Sequence, residues 1–134
     1  MLKQLSIFAE NQKGALQKIT NILFEADINI LGSVTNDSAE YGIIRMIVSD
    51  PEKASQSLTK EGYQCRLSDV IGIEVTDKPG ALNELLLSLL NSNINVNYTY
   101  LSYNRETARP IIVLQTESTH EVESCLKSKG FATC

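Results

Sequence analysis

The chain has 134 residues, of which 43% are hydrophobic and 21% are charged, as is typical of a folded globular protein. Twelve basic and sixteen acidic residues leave a formal net charge of −4, which gives no attraction to a phosphate backbone and argues against a nucleic-acid partner. The single histidine and three scattered cysteines argue against a metal site, and we expect no cofactor. Because no run of 18 apolar residues and no signal-peptide pattern occur, we expect a soluble, cytoplasmic protein that does not associate with membranes.

An internal repeat divides the chain. Residues 11–16 (NQKGAL) correspond to residues 77–82 (DKPGAL) at an offset of 66, and residues 28–30 (INI) correspond to 94–96 (INV). The offset grows to 68 where Gly62 corresponds to Gly130, which indicates two inserted residues in the second copy. Leu23 likewise corresponds to Leu89. Chance similarity among short motifs is the alternative, and four landmarks in one order argue against it. The sequence therefore predicts two domains, at residues 1–68 and 69–134.

The first copy begins with a strand in which Leu5, Ile7 and Ala9 alternate with other positions. A glycine turn then leads to a helix, and strands follow at residues 28–35 and 43–48. Asp50 and Pro51 predict the start of a second helix, Gly62 predicts its end, and a short strand follows at 63–67. The apolar residues of the first helix recur at spacings of three and four, as expected for a helix that packs on a sheet: Leu16, Ile19, Ile22, Leu23 and Ala26.

The second copy repeats this layout. It has a strand through Ile71 and Ile73, a leucine-rich helix, and strands at 94–102 and 111–115. Ser118 and Glu121 have the spacing of a capping box, and a final strand follows at 131–134. The order βαββαβ, found twice, predicts an α+β fold of two ferredoxin-like units, side by side with a continuous antiparallel sheet and helices on one face. The third strand of each copy is apolar at both parities, so we expect the opposite sheet face to be covered too.

The most specific chemical feature is the glycine turn before the first helix of each copy. Free backbone N–H groups and the helix dipole favour an anion at such a position, and Gly14 or Gly80 lets a ligand approach the backbone. Asn11 and Asp77 precede the glycines by three residues and either cap the helix or bind a ligand amine. Taken alone, capping is the commoner role.

The turn, the leucine-rich helix and the segment Asn93-Ile94-Asn95-Val96 resemble an ACT domain, a small regulatory module that binds amino acids. The first copy is similar to the regulatory domain of phosphoglycerate dehydrogenase. This resemblance implies a ligand between two adjacent domains, held by the Asx of one turn and by the Asn that opens strand two of the neighbour. The implied ligand-binding residues are Asn11, Gly14, Ala15, Leu16 and Asn29 in the first copy, and Asp77, Gly80, Ala81, Leu82 and Asn95 in the second.

If the copies pair, the resemblance implies that Asn11 faces Asn95 and that Asp77 faces Asn29. Two departures distinguish this chain from the dehydrogenase family. A histidine that precedes the turn there is replaced by Ala9 and Val75, and the turn proline is replaced in the first copy by Lys13. Lys13 either binds a ligand carboxylate or is simply solvated.

Other candidates have weaker support. His120 is expected on a helix surface with no nucleophile near it in sequence, and Cys65 and Cys125 are expected to be structural thiols. Tyr98 and Tyr100 share the parity of apolar neighbours, so we expect packing and not base stacking. We therefore expect a non-catalytic sensor that binds an amino acid, forms a homodimer and acts on a partner enzyme. The alternative is a protein interaction module that regulates an enzyme or transporter without a small ligand.

Overall fold

The computed structural model describes residues 1–10, 12–37 and 41–134, and Asn11 lies outside them. The chain forms two compact units. The first unit is Lys3–Ser68, and the second unit is Asp69–Cys134 together with Met1–Leu2. In the second unit, the ammonium group of Met1 lies 3.3 Å from Oε2 of Glu123.

The first unit has the order βαββαβ. Its elements are β1 (Leu2–Glu10), α1 (Ala15–Glu25), β2 (Ile30–Asp37), β3 (Tyr41–Val48), α2 (Pro51–Lys60) and the beginning of β4 (Gln64–Glu74). The strand order is β2-β3-β1-β4. Both β1 and β2 pair antiparallel with β3, so these two strands run in the same direction on either side of it.

The second unit repeats this order. It uses the rest of β4, then α3 (Ala81–Asn91), β5 (Tyr98–Tyr103), β6 (Pro110–Gln115), α4 (Thr119–Ser128) and β7 (Ala132–Thr133). Strand β6 pairs antiparallel with both β4 and β5, and β7 pairs with β4. The predicted α+β class with two ferredoxin-like units is confirmed.

Two predicted element boundaries are wrong. The strands expected at 63–67 and through Ile71 and Ile73 form a single strand, β4, because no glycine or proline interrupts the chain between them. The strand expected from residue 94 begins only at Tyr98. Residues 94–97 instead lead from α3 into the sheet, so the side chain of Asn95 is exposed.

Each unit buries one core between its helices and its sheet. In the first unit Ile19 and Leu23 of α1 and Leu58 of α2 pack against strand residues such as Ile7 and Met46. The equivalent core of the second unit is formed by Ile71, Ile73, Leu85, Leu89, Ile112, Leu114, Val122 and Leu126. All four residues 111–114 of β6 are buried, which agrees with the expectation that both faces of this strand are covered.

Helix α2 ends before Gly62, as the sequence predicts, and the helices differ from one another in how they begin. Asp27 and Asn93 adopt left-handed φ values of 58° and 57°, and each lets the following N–H return to a carbonyl of the last helical turn. Asp50 caps α2, since its Oδ1 accepts a hydrogen bond from the Lys53 N–H at 3.2 Å. The capping box predicted at Ser118 is wrong: its side chain makes no capping hydrogen bond to α4.

In the described part of the chain, no helix has the length and apolar character that crossing a membrane requires.

Candidate functional site

The two glycine turns have the same backbone geometry. Gly14 and Gly80 adopt left-handed φ values of 83° and 91° at the N-terminal ends of α1 and α3. No described side chain caps either helix, and in the second unit, where the whole turn is described, no side chain of the turn occupies the first amides of α3. No described atom outside the adjacent residues lies within 4 Å of the position that a Cβ would take at Gly80. The turn of the second unit is therefore open to a small molecule.

Not every amide of the turns is available to a ligand. The Ala15 N–H donates to the carbonyl of Gln12 at 3.1 Å, and the Ala81 N–H donates to the carbonyl of Lys78 at 3.4 Å. The amides of Leu16 and Leu82, one residue further into each helix, have no such partner among the described backbone groups. These are the donors that face outward with the helix dipole behind them.

The asparagine that precedes β2 is held by its backbone. The N–H of Asn29 donates to Oγ of Ser49 at 2.9 Å, and the N–H of Ser49 donates back to the Asn29 carbonyl at 2.9 Å. This reciprocal pair fixes the main chain and leaves the Asn29 side chain exposed. Asp77 and Asn95 are exposed as well.

Within one unit, the turn and the strand-two asparagine lie at opposite ends of the sheet. In the first unit Glu10, before the turn, pairs with Tyr41 at the start of β3, whereas Ile30, after Asn29, pairs with Val48 at its end. A strand of this length separates the two ends by roughly 20 Å, because each residue advances the chain by about 3.3 Å. The same holds in the second unit, where Glu74 pairs with the start of β6 and Tyr98 pairs with its end. Hence one unit alone cannot complete the implied site.

A cleft of about 560 Å³ lies beside the first turn. Lys13 and Lys18 contribute positive charge to it, and Glu10 is engaged by the Gln12 side chain at 2.6 Å. Lys13 is exposed there, and this placement fits both of its expected roles, carboxylate binding and solvation. The lining includes Ala15, one of the residues that the ACT resemblance implies. Sequence reasoning missed the remaining lining residues, because the α2–β4 connection has no motif that points to a ligand: Phe8, Ala9, Gly62, Tyr63 and Gln64.

A second cleft, of about 470 Å³, lies in the second unit, where the α3–β5 connection meets the start of α4. Of the predicted ligand-binding residues it contains Asn95 alone. Its other lining residues are Asn93, Ile94, Thr116, Glu117, Ser118, Glu121 and Val122. The one sequence signal for this cleft is a threonine at 116 where the repeat, at an offset of 68, has Val48.

The remaining candidates are placed as follows. His120 is exposed in the first turn of α4. Burial raises the pKa of the Cys65 thiol, against a smaller lowering by a hydrogen bond with Thr59. The rings of Tyr98 and Tyr100 stack with centroids 6.5 Å apart, and Tyr100 is buried, which fits the expected packing role. Among the described residues, no group of three or more His, Cys, Asp or Glu side chains has the arrangement of a metal site.

Two βαββαβ units, each with an open glycine turn before its first helix, define a class of paired ferredoxin-like modules. The sequence pattern of the ACT domain pair matches residues 1–130, and the chain belongs to this family. The match covers nearly all of these 134 residues, so it leaves no room in them for a separate catalytic domain.

Solved structures show the same fold. The chain is 32% identical to the protein BT0572 from Bacteroides thetaiotaomicron over 99% of this chain and 91% of that one, with a TM-score of 0.88. The ligand-free regulatory subunit of aspartate kinase from Thermus thermophilus is 13% identical over 96% of this chain and 92% of its own, with a TM-score of 0.65. The corresponding subunit from Thermus flavus is 14% identical over 94% and 90% of the two chains, with a TM-score of 0.59. No curated protein matches the sequence.

Proposed function

We propose that this ACT domain pair is a non-catalytic regulatory sensor that binds an amino acid or a similar small zwitterion. The observation that carries the proposal is the open turn at Gly80, where a left-handed glycine without a side-chain cap precedes a helix. The outward amide of Leu82 and the helix dipole suit a ligand carboxylate, and the exposed carboxylate of Asp77 suits its ammonium group.

The ligand-binding residues of this proposal are those that the ACT resemblance implies. Because a turn and its own strand-two asparagine lie at opposite ends of a sheet, a complete site requires the turn of one copy and the asparagine of the other. We accordingly pair Asp77 with Asn29, and Asn11 with Asn95. Binding would stabilise one relative orientation of the copies, which a partner enzyme reads as a shift in population.

A thermal-shift screen of the twenty amino acids tests this proposal. We expect at least one amino acid to raise the melting temperature, and we expect the rise to disappear in Asp77→Ala or Asn95→Ala. Asn21→Ala is the matched control, because Asn21 is an exposed residue of α1 outside the proposed site. A screen in which no amino acid raises the melting temperature would contradict the proposal.

An interaction module without a ligand is the second candidate, and an apolar surface favours it. Leu82, Leu86 and Leu90 follow one another at four-residue spacing on α3, and they are 41%, 36% and 71% exposed. Phe24 of α1 is 78% exposed. Exposed apolar rows of this kind are typical of protein interfaces.

The same row supports the proposed homodimer. Light scattering on the eluting protein should give twice the 14.8 kDa mass of the chain, and Leu90→Glu should return the mass to that of one chain. A monomeric wild-type protein would contradict the dimer. We also propose a cytoplasmic location, since the structure leaves all three cysteines as free thiols, as a reducing compartment requires.

A further inference from the structure

The cleft at the start of α4 contains a buried hydroxyl without a partner. Thr116 is 1% exposed, and no described group lies within hydrogen-bond distance of its Oγ1. Its counterpart in the first copy is Val48, which buries a methyl group at the same place in β3. A buried hydroxyl costs free energy unless a hydrogen bond satisfies it, so a threonine at this position favours a polar partner in the cleft.

The helix beside that hydroxyl is uncapped. Ser118 precedes α4 without forming a side-chain capping hydrogen bond, whereas Asp50 at the equivalent position fills the start of α2 with its carboxylate. The 10-residue helix α4 therefore directs its first amides and its dipole into the cleft. A ligand carboxylate placed there meets these amides and the hydroxyls of Thr116 and Ser118.

The rim of the cleft is negatively charged, whereas the helix amides at its base carry partial positive charge. Glu117 and Glu121 line it with exposed carboxylates, and the lining residues described by the structure include no Lys, Arg or His. Asn93 and Asn95 add neutral amide groups. The base of the cleft is thus suited to one carboxylate, and its rim is suited to two ammonium groups.

We propose that this cleft binds an α-amino acid with a basic side chain, with the carboxylate at the base and the ammonium groups at the glutamates. The inference goes beyond the proposed function, because the carboxylate is placed at the start of α4 and not at a glycine turn, and the cleft shares only Asn95 with the ligand-binding residues proposed above. Its volume of about 470 Å³ accommodates a ligand of this size.

Titration calorimetry with three probes tests the assignment of charges. L-Lysine is the full ligand, L-norleucine lacks only the side-chain ammonium group, and cadaverine lacks only the carboxylate. We expect L-lysine to bind about tenfold more tightly than either analogue, since each analogue loses one charge-assisted contact. Equal binding of the three probes would overturn the inference.

Three substitutions test the residues. Thr116→Val introduces the side chain that the first copy has, and we expect it to weaken L-lysine binding about tenfold. Glu117→Gln and Glu121→Gln should each weaken L-lysine by a similar factor, and only one of the two should also weaken L-norleucine, because one glutamate binds the α-ammonium group and the other binds the side-chain ammonium group. Glu52→Gln is the matched control, because Glu52 occupies the corresponding first turn of α2 and is not among the residues that line the cleft.

The outcomes separate this inference from the proposed function. If L-lysine binds with unchanged affinity to Thr116→Val and Glu121→Gln but is lost in Asp77→Ala, the cleft is not the binding site and the sensor proposal stands. The same conclusion follows if a different amino acid binds and L-lysine does not. If L-lysine is weakened by the cleft variants and not by Asp77→Ala, the cleft is supported as a binding site distinct from the turn at Gly80.

Discussion

Exchanging the residues at one repeat position should change the stability of the two units in opposite directions. Thr116 buries a hydroxyl without a described partner, and Val48 buries a methyl group in its place. An unsatisfied buried hydroxyl costs about 1–3 kcal/mol in proteins. We therefore expect Thr116→Val to raise the free energy of unfolding by about 1–2 kcal/mol in the absence of ligand, and Val48→Thr to lower it by about 1–3 kcal/mol.

Urea denaturation followed by circular dichroism measures both changes. For a unit of this size, about 1 kcal/mol corresponds to a shift of about 4–8 °C in melting temperature, which a calorimetric scan checks independently. Thr99→Val is the control, because the Thr99 hydroxyl donates to the Val113 carbonyl at 2.8 Å and its loss should destabilise by about 1 kcal/mol. If Thr116→Val destabilises the protein as Thr99→Val does, the hydroxyl is already satisfied and the reasoning about the cleft is refuted.

Three further predictions concern helix capping, packing and thiol chemistry. Asp50→Ala should lower the free energy of unfolding, measured by urea denaturation, by about 1 kcal/mol, because it removes the cap on α2. Ser118→Ala should change it by less than about 0.5 kcal/mol, since Ser118 does not cap α4. Equal losses in the two variants would contradict this difference in capping. Gly72→Ala should cost about 1–3 kcal/mol, since the added Cβ would lie 2.6 Å from Cδ1 of Leu2. Adding Leu2→Ala should recover part of that loss, and a strictly additive double variant would refute the clash. Because burial raises the pKa of the Cys65 thiol, iodoacetamide should modify it more slowly at pH 8 than an exposed thiol, and the rate should rise with pH. Because the pKa of this thiol is higher in the folded state than in the unfolded state, its contribution to the free energy of unfolding falls as the pH rises past about 8.5. A Cys65→Ser variant should not show this fall.

Features with a local cause could be predicted from the sequence. The repeat and the βαββαβ order follow from apolar periodicity and from turn residues at matching positions. Asp50 and Pro51 mark the start of α2, and Asp27 and Asn93 mark helix ends because their short polar side chains tolerate the left-handed backbone. Each of these signals lies within a few residues of the structure it determines.

Features that depend on tertiary context could not be predicted. The boundary between the copies suggested two separate strands on either side of residue 68. The backbone instead continues through Val70 as one strand, because its pairing within the sheet, and not the repeat boundary, determines where the strand ends. Ser118 has the spacing of a capping box, but its neighbour Thr119 donates its hydroxyl to the Thr116 carbonyl at 3.4 Å instead. The spacing alone does not determine which hydroxyl is used.

The candidate site likewise has features that the sequence predicts and features that depend on tertiary context. The glycine turns before α1 and α3 followed from the residues, and the left-handed backbone of Gly14 and Gly80 is a further finding of the structure. The cleft at α4 did not follow from the residues, because a single threonine directly after an apolar strand indicates a site only when its burial and its lack of a described hydrogen-bond partner are known. Comparison of equivalent positions in the two copies, Thr116 with Val48, is the signal that could have found it.

Amide chemical shifts test the central claim, that this ACT domain pair binds an amino acid at its turns, most directly. A ¹⁵N-labelled sample titrated with the amino acid that gives the largest thermal shift reports on every N–H group. We expect the largest shifts at residues 80–82 or 14–16, together with Asn29 or Asn95, since these groups contact the ligand in our account. A titration in which none of the twenty amino acids moves the amides at either turn would contradict it.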